Sequence, residues 1–224
     1  NGVSNRYIIT WFCGIAANGI YSVSYKIPSI LVMFQGIFSQ AWTMSAVQGY
    51  DKDDKNGFFT RMYQSYNLCM VLVCSVLIML SRVMAKFLYA NDFYNAWKYV
   101  PFLLIASVFG ALSGYVGGIF AATKDTKIFA KTSIMGAVAN LMLTFVLVWK
   151  VGVMGAAIAS PVSYGFIWYL RIKSVSKYMN MKINLFKDVF GYLILCIQTV
   201  LLFIFPDNIL FFILQLLAIV VLLL

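Results

Sequence analysis

The sequence contains no glutamate and no histidine, and its seven acidic residues are all aspartates. Charged residues make up only 11% of the 224 positions, whereas a soluble domain carries roughly 25%. Apolar residues reach 62%, which leaves too few polar side chains to cover the outside of a soluble fold. The apolar surface must therefore face lipid, and we predict an all-α, polytopic membrane protein.

The same absences limit the chemistry of the chain. No aspartate lies inside an apolar run, so we expect no paired carboxylates for acid–base catalysis, no proton relay and no metal cluster. The four cysteines lie inside apolar segments without CxxC spacing and are interpreted as small hydrophobic side chains. We predict no enzymatic activity, no metal and no cofactor.

The net charge of +10 comes from 17 lysines and arginines. Such a balance is typical of proteins that contact nucleic acid or an anionic membrane surface. Here the cations lie between apolar runs, and no basic stripe carries interleaved aromatic residues. We therefore expect membrane lipid, and no nucleic acid, as a partner.

Uncharged runs that can cross a bilayer as a helix, which takes about 20 residues, mark the predicted transmembrane spans. Six are clear, at 62–80, 99–122, 132–149, 151–170, 189–206 and 208–224. The last two form a predicted hairpin, because Pro206, Asp207 and Asn208 are a strong turn signal.

The region 7–50 is interrupted only by Lys26 and would be about 66 Å long as one helix, too long for one crossing. Residues 16–19 offer a break. We therefore predict one long span at 19–45 and an interfacial segment at 7–17, which brings the total to about seven spans.

Loop charges predict the orientation, because short cytoplasmic loops are enriched in lysine and arginine. Eleven cations fall on one side: Lys52, Lys55, Arg61, Lys124, Lys127, Lys131, Arg171, Lys173, Lys177, Lys182 and Lys187. Five fall on the other: Arg6, Arg82, Lys86, Lys98 and Lys150. This bias places Leu224 in the cytoplasm and Asn1 outside it.

A polar or small stripe follows one face of the 19–45 span. Its members are Ser22, Lys26, Ser29, Met33, Gly36, Gln40 and Thr43. An ionisable residue inside a span points by default to a bundle interior or a water-filled cavity, although Lys26 near a helix end could instead snorkel to the interface. Pro28 is expected to kink this helix.

A lysine that faces a cavity, without a carboxylate in its span, would attract an anion such as phosphate or pyrophosphate. Arg6 is a second candidate cation. Tyr21 and Tyr25 could donate hydroxyl groups or stack on a sugar, or could equally pack in the interfacial aromatic belt. The predicted substrate-binding residues are Lys26, Arg6, Tyr21, Tyr25, Ser22, Ser29 and Gln40.

Helix-packing signals lie elsewhere. Small residues recur every four positions at 106–118 and again at 152–160, which lets neighbouring helices approach closely. Asn67 and Asn140 are expected to hydrogen-bond neighbouring helices.

The tripeptide NRY at 5–7, Gly14, the run GIYSVSYKIP at 19–28 and the run FSQAW at 38–42 resemble the C-terminal half of bacterial polysaccharide (O-antigen type) flippases. The run GVMGAAIAS at 152–160 is similar to another stretch of that family. The aspartate that usually precedes the arginine is replaced by Asn5 in this chain, which weakens the case for a salt bridge there.

The resemblance implies the multidrug/oligosaccharidyl-lipid/polysaccharide exporter superfamily, in which two six-helix lobes surround a cavity that opens to each side in turn. Residues 1–173 would be helices of the C-terminal lobe, and 174–224 a loop plus an additional helical hairpin. The chain would then be spans eight to fourteen of a longer protein that also has an N-terminal lobe.

The function implied by the resemblance is translocation of an undecaprenyl-pyrophosphate-linked oligosaccharide across the bacterial cytoplasmic (inner) membrane. This step serves surface polysaccharide biosynthesis, including the O-antigen of lipopolysaccharide, and other polysaccharide-assembly proteins are implied partners.

Two alternatives stay open. A cation-coupled multidrug exporter of the same superfamily would usually need carboxylates inside the membrane. A membrane glycosyltransferase or polysaccharide polymerase would need carboxylates or a large periplasmic loop.

Overall fold

The computed structural model of the chain describes residues 2–205 and 209–223, which form eight α-helices, two 3-10 segments (Ser24–Lys26 and Asn91–Lys98) and no strand. The helices are α1 (Gly2–Val23), α2 (Pro28–Gln48), α3 (Phe58–Leu88), α4 (Val100–Ala122), α5 (Thr126–Val151), α6 (Val153–Val175), α7 (Leu185–Ile204) and α8 (Ile209–Leu223). Six of them, α2 to α7, are long and apolar enough to cross a membrane. The predicted all-α, polytopic class is confirmed. The predicted turn at 206–208 lies outside the described residues, but α7 and α8 on either side of it do pack together.

Helix α4 is the most buried span and packs against α2, α3 and α6. A helix that is apolar on every side belongs inside a bundle, and the glycines of α4 let large side chains approach its backbone. A Cβ on Gly118 would lie 2.7 Å from Nε1 of Trp42, which already donates a hydrogen bond to the carbonyl of Tyr115 at 2.9 Å. The predicted close packing of this small-residue face is therefore confirmed.

Helix α1 is folded back on itself at Gly14. The Nδ2 atom of Asn5 lies 3.4 Å from the hydroxyl of Tyr21, although sixteen positions of straight helix would separate them by about 24 Å. Gly14 has φ 87° and ψ 170°, a backbone conformation that residues other than glycine rarely adopt. The chain thus forms two antiparallel arms, residues 2–13 and 15–23.

The interfacial location predicted for residues 7–17 stays a prediction, but the segment is part of the helical bundle. Residues 2–13 pack against α5 and α6, and Ile9 is fully buried there. The break lies at Gly14, whose φ of 87° makes the reversal, whereas residues 16–19 are helical.

The single long helix predicted at 19–45 is divided in the structure: residues 19–23 belong to α1, and the helix long enough to cross a membrane is α2. Gly19 lies beside Phe93 at one end of the bundle, while Trp42 lies beside Gly118 at the other. The 3-10 segment Ser24–Lys26 separates the two helical pieces. Pro28 occupies the first turn of α2, where its missing backbone N–H costs no helical hydrogen bond. The expected kink is therefore a break just before Pro28.

The three lysine-rich connections meet at one end of the bundle, as predicted. The Tyr50 hydroxyl donates to the carbonyl of Tyr178 at 2.6 Å, and the Tyr178 hydroxyl donates to Asp125 at 2.5 Å. The backbone N–H of Asn180 donates to the carbonyl of Lys52 at 3.0 Å. We call this the lysine-rich end; that it faces the cytoplasm stays a prediction.

Candidate functional site

The fold-back of α1 and the break before α2 open a groove between α1, α2, α4 and α6. Its volume is about 440 Å³, in the range of small-molecule sites. Its polar lining residues are Tyr25, Ser29, Gln35, Ser107, Ser160 and Tyr164. Gly2 and Gly110 also line the groove. The groove therefore presents mainly neutral hydrogen-bonding groups on an apolar background.

Three of the predicted site residues meet at one edge of this groove. The guanidinium carbon of Arg6 lies 5.5 Å from the ring centroid of Tyr25, within the range of a cation–π contact. The hydroxyls of Tyr21 and Tyr25 are 3.1 Å apart. Arg6 is exposed, so its charge stays available beside the aromatic pair.

The other predicted residues divide between the groove and the surface. Ser29 lines the groove, and its hydroxyl donates to the carbonyl of Lys26 at 2.6 Å. Lys26 and Gln40 are exposed and are not among the groove's lining residues, and Ser22 donates to Asn18. The α2 glutamine that lines the groove is Gln35, one the predicted stripe omitted.

Most of the predicted stripe on α2 is uncovered within the described part of the chain. Met33, Gly36 and Gln40 are all exposed, and α2 has the least buried span. The break before Pro28 also places Ser22 and Lys26 on different helical pieces from the rest of the stripe. The expectation that this face avoids lipid stays a prediction.

A neutral polar cluster lies behind the aromatic pair. Asn5 is fully buried, and its Nδ2 atom donates to Ser160 at 3.1 Å while its Oδ1 atom accepts from Thr144 at 3.0 Å. These bonds join the first arm of α1 to α5 and α6. Asn5 therefore has partners without a salt bridge, and it holds the arm that carries Arg6.

The structure also reveals a buried arginine that the sequence analysis assigned to a loop. Arg171 lies inside α6 and is 5% exposed. Its guanidinium donates to Thr132 at 3.2 Å, to Ser133 at 2.8 Å and to the carbonyl of Ser113 at 2.8 Å. All three acceptors are neutral. The predicted span at 151–170 stops just before Arg171 because that residue is charged, whereas α6 continues to Val175.

The prediction that no aspartate lies inside a span is wrong for Asp188. This residue is in the first turn of α7 and is 8% exposed. Its carboxylate accepts from Asn67 at 2.7 Å and from Tyr63 at 3.1 Å. Asn184 is the N-cap of α7, and its side chain accepts a hydrogen bond from the backbone N–H of Lys187. That cap, with an aspartate soon after it, is a helix-start signal that could have located α7 correctly.

The network around Asp188 joins α3, α6 and α7. Trp168 donates to the Tyr63 hydroxyl at 3.2 Å, and Tyr192 donates to Oδ1 of Asn67 at 3.1 Å. The expected interhelical role of Asn67 is confirmed. So is that of Asn140, which donates to Ser163 at 3.3 Å.

The apolar helices, the buried polar clusters and the groove define a multi-pass membrane protein of the all-α class. No protein-family model, no curated protein and no solved structure matches the chain.

Proposed function

We propose that the protein translocates a lipid-linked oligosaccharide, carried on undecaprenyl pyrophosphate, across the bacterial cytoplasmic membrane for surface polysaccharide biosynthesis. The observation that carries the proposal is the contact between Arg6 and Tyr25 at the edge of the groove. A guanidinium suits the oxygens of a pyrophosphate, and an adjacent aromatic ring with hydroxyl groups suits a sugar. A ligand that contains both a pyrophosphate and a sugar would contact the guanidinium of Arg6 with the first and the ring of Tyr25 with the second.

The uncovered face of α2 supports a two-lobed transporter. Met33 and Ile37 are each 69% exposed, on a helix whose opposite side packs against α4. In the proposed protein this face borders a cavity shared with an N-terminal lobe, and the cavity opens to each side in turn. The broken helix between Val23 and Pro28 is a suitable hinge for such a movement.

Cell-surface polysaccharide is the direct readout in a strain that depends on the full-length protein. Arg6→Ala and Lys26→Ala should each reduce surface polysaccharide, Arg6→Ala more strongly because Arg6 contacts Tyr25, which lines the groove. Lys150→Ala is the matched control, since Lys150 is an exposed cation at the end of α5. Expression at the wild-type level must accompany the loss. Wild-type polysaccharide in both Arg6→Ala and Lys26→Ala cells would contradict the proposed site.

The burial of Asp188 favours one alternative, a cation-coupled multidrug exporter. Such a protein usually needs a carboxylate inside the membrane, and Asp188 is a buried carboxylate in the first turn of α7. However, Asp188 faces Tyr63 and Asn67 on α3, and it is not among the groove's lining residues. A drug-efflux assay with the reconstituted protein separates the two functions.

A further inference from the structure

Arg171 lies directly behind the wall of a second cavity. This cavity, of about 290 Å³, is lined by Ser39 and Thr43 of α2, by glycines of α4 and by Thr126 and Phe129 of α5. Two of its wall residues touch the guanidinium: the Phe129 ring centroid lies 4.1 Å from the guanidinium carbon of Arg171, and a Cβ on Gly117 would lie 3.7 Å from its NH1 atom. One ring and one glycine therefore separate a buried charge from open space.

The position of Arg171 is costly for a purely structural residue. A cation inside a membrane-spanning bundle normally pairs with an acidic group or with backbone carbonyls, or faces a water-filled space. The three acceptors of Arg171 are two hydroxyls and one carbonyl, and an arginine has five N–H donors. Its positive charge is therefore not balanced by any of the three, and these bonds use three of its five N–H groups.

Phe129 can act as a removable cover over this charge. Its side chain is 42% exposed, whereas Arg171 beneath it is 5% exposed. Lys124 in the loop before α5 and Lys127 in the first turn of α5 are exposed cations, so the approach from the lysine-rich end is electropositive. Ser39 and Thr126 add hydroxyl groups at the cavity wall, whereas the Thr43 hydroxyl donates to the carbonyl of Ser39 at 2.8 Å.

We propose that this cavity is a binding site for the phosphate group of a lipid, with Arg171 as the anion-binding residue and Phe129 as the cover that the headgroup displaces. Arginine binds phosphate in a bidentate fashion with two N–H groups, the number that Arg171 has in reserve. The cavity volume suits a phosphate or diphosphate headgroup and not a whole glycan. The identification of the lipid as the undecaprenyl pyrophosphate carrier rests on the proposed function. The proposal of a phosphate site does not depend on that function.

The test is equilibrium binding to the purified full-length protein in detergent, with undecaprenyl pyrophosphate and phosphatidylglycerol as separate probes. Phe129→Ala should tighten binding about fivefold, since the ligand no longer has to displace a cation–π contact. Phe145→Ala is the matched control, because Phe145 is an exposed phenylalanine on the same helix whose ring contacts Phe12 edge to face. Arg171→Gln should abolish binding, and Phe129→Ala should have no effect in the Arg171→Gln background.

The outcomes separate the two levels of the proposal. A gain for Phe129→Ala with undecaprenyl pyrophosphate supports both the site and the carrier. A gain with phosphatidylglycerol alone supports the phosphate site and removes the carrier as its ligand. Equal affinities of wild type and Phe129→Ala for both lipids overturn the site, even if Arg171→Gln fails to fold. None of these results depends on translocation activity, so failure of the proposed function is detected independently.

Discussion

The side chain of Asn5 reaches the hydroxyl of Tyr21 at 3.4 Å, across a reversal of the chain at Gly14. This one relationship brings the N-terminal arm back into the bundle. It also places Arg6 beside Tyr25, because Asn5 is held by Ser160 and Thr144 on the other side. The candidate site depends on this fold-back more than on any single helix.

Replacement of Gly14 by alanine should destabilise the protein by about 1–3 kcal/mol, since alanine is strained at φ 87°. Space is not the cause, because a Cβ at this position would meet nothing within 4 Å. Gly36→Ala is the control: it lies on the exposed face of helical α2, also in open space, and should be neutral or slightly stabilising. Thermal unfolding in detergent measures both. Equal midpoints for the two variants would show that the reversal is not strained.

Removal of the Asp188 carboxylate should loosen α7 from α3. In Asp188→Ala the donors on Tyr63 and Asn67 lose their acceptor, at a cost of about 1–3 kcal/mol. Tyr63→Phe removes one of these donors, so the double variant should cost less than the sum of the single variants. Unfolding free energies of the four proteins give the coupling. Strict additivity would mean that the two side chains do not interact.

The contact between Asp125 and Tyr178 should make the lysine-rich end pH-sensitive in both directions. The hydrogen bond from Tyr178 lowers the pKa of Asp125 below its ordinary 3.8, and the same bond raises the pKa of Tyr178 above its ordinary 10.0. Because the pKa of Asp125 is lowered in the folded protein, its ionised carboxylate contributes stability that is lost as pH falls below 3.8. Because the pKa of Tyr178 is raised, its protonated phenol contributes stability that is lost at pH values above 10.0.

Amide hydrogen exchange across residues 176–184 measures this effect. After correction for intrinsic exchange, protection should decline at both pH extremes in the wild type. The Tyr178→Phe variant should lack the change at high pH and show a smaller change at low pH, because the phenol is gone while the backbone N–H groups of Ile128 and Lys127 still lower the pKa of Asp125. Unchanged profiles in Tyr178→Phe would assign the sensitivity to other groups.

The order of the membrane-length helices could be predicted because runs of apolar residues can be identified directly in the sequence. Runs of apolar residues identified α2 to α7, and the distribution of lysines placed the loops 49–57, 123–125 and 176–184 at the same end. Helix ends were predicted less well. Each predicted span stopped at the first charge, whereas α6 continues past Arg171 and α7 begins before Asp188, since both side chains have polar partners inside the bundle.

The candidate site could be predicted only in part. Arg6 was predicted from its positive charge, and Tyr21 and Tyr25 from their rings and hydroxyl groups. The structure brings these three residues together. Helical periodicity placed Lys26 and Gln40 with these residues, but neither lines the groove, and the Ser24–Lys26 segment separates Lys26 from α2. The reversal at Gly14 is a backbone conformation that no apolar pattern records, and it decides which residues face the groove.

Translocation by the purified full-length protein in proteoliposomes is the measurement that tests the central claim most directly. A fluorescent oligosaccharide on undecaprenyl pyrophosphate should cross from one leaflet to the other at a rate that Arg6→Ala reduces by about tenfold or more and Lys150→Ala leaves unchanged. Leaflet crossing no faster than in protein-free vesicles, or a rate equal in wild type and Arg6→Ala, would contradict the account.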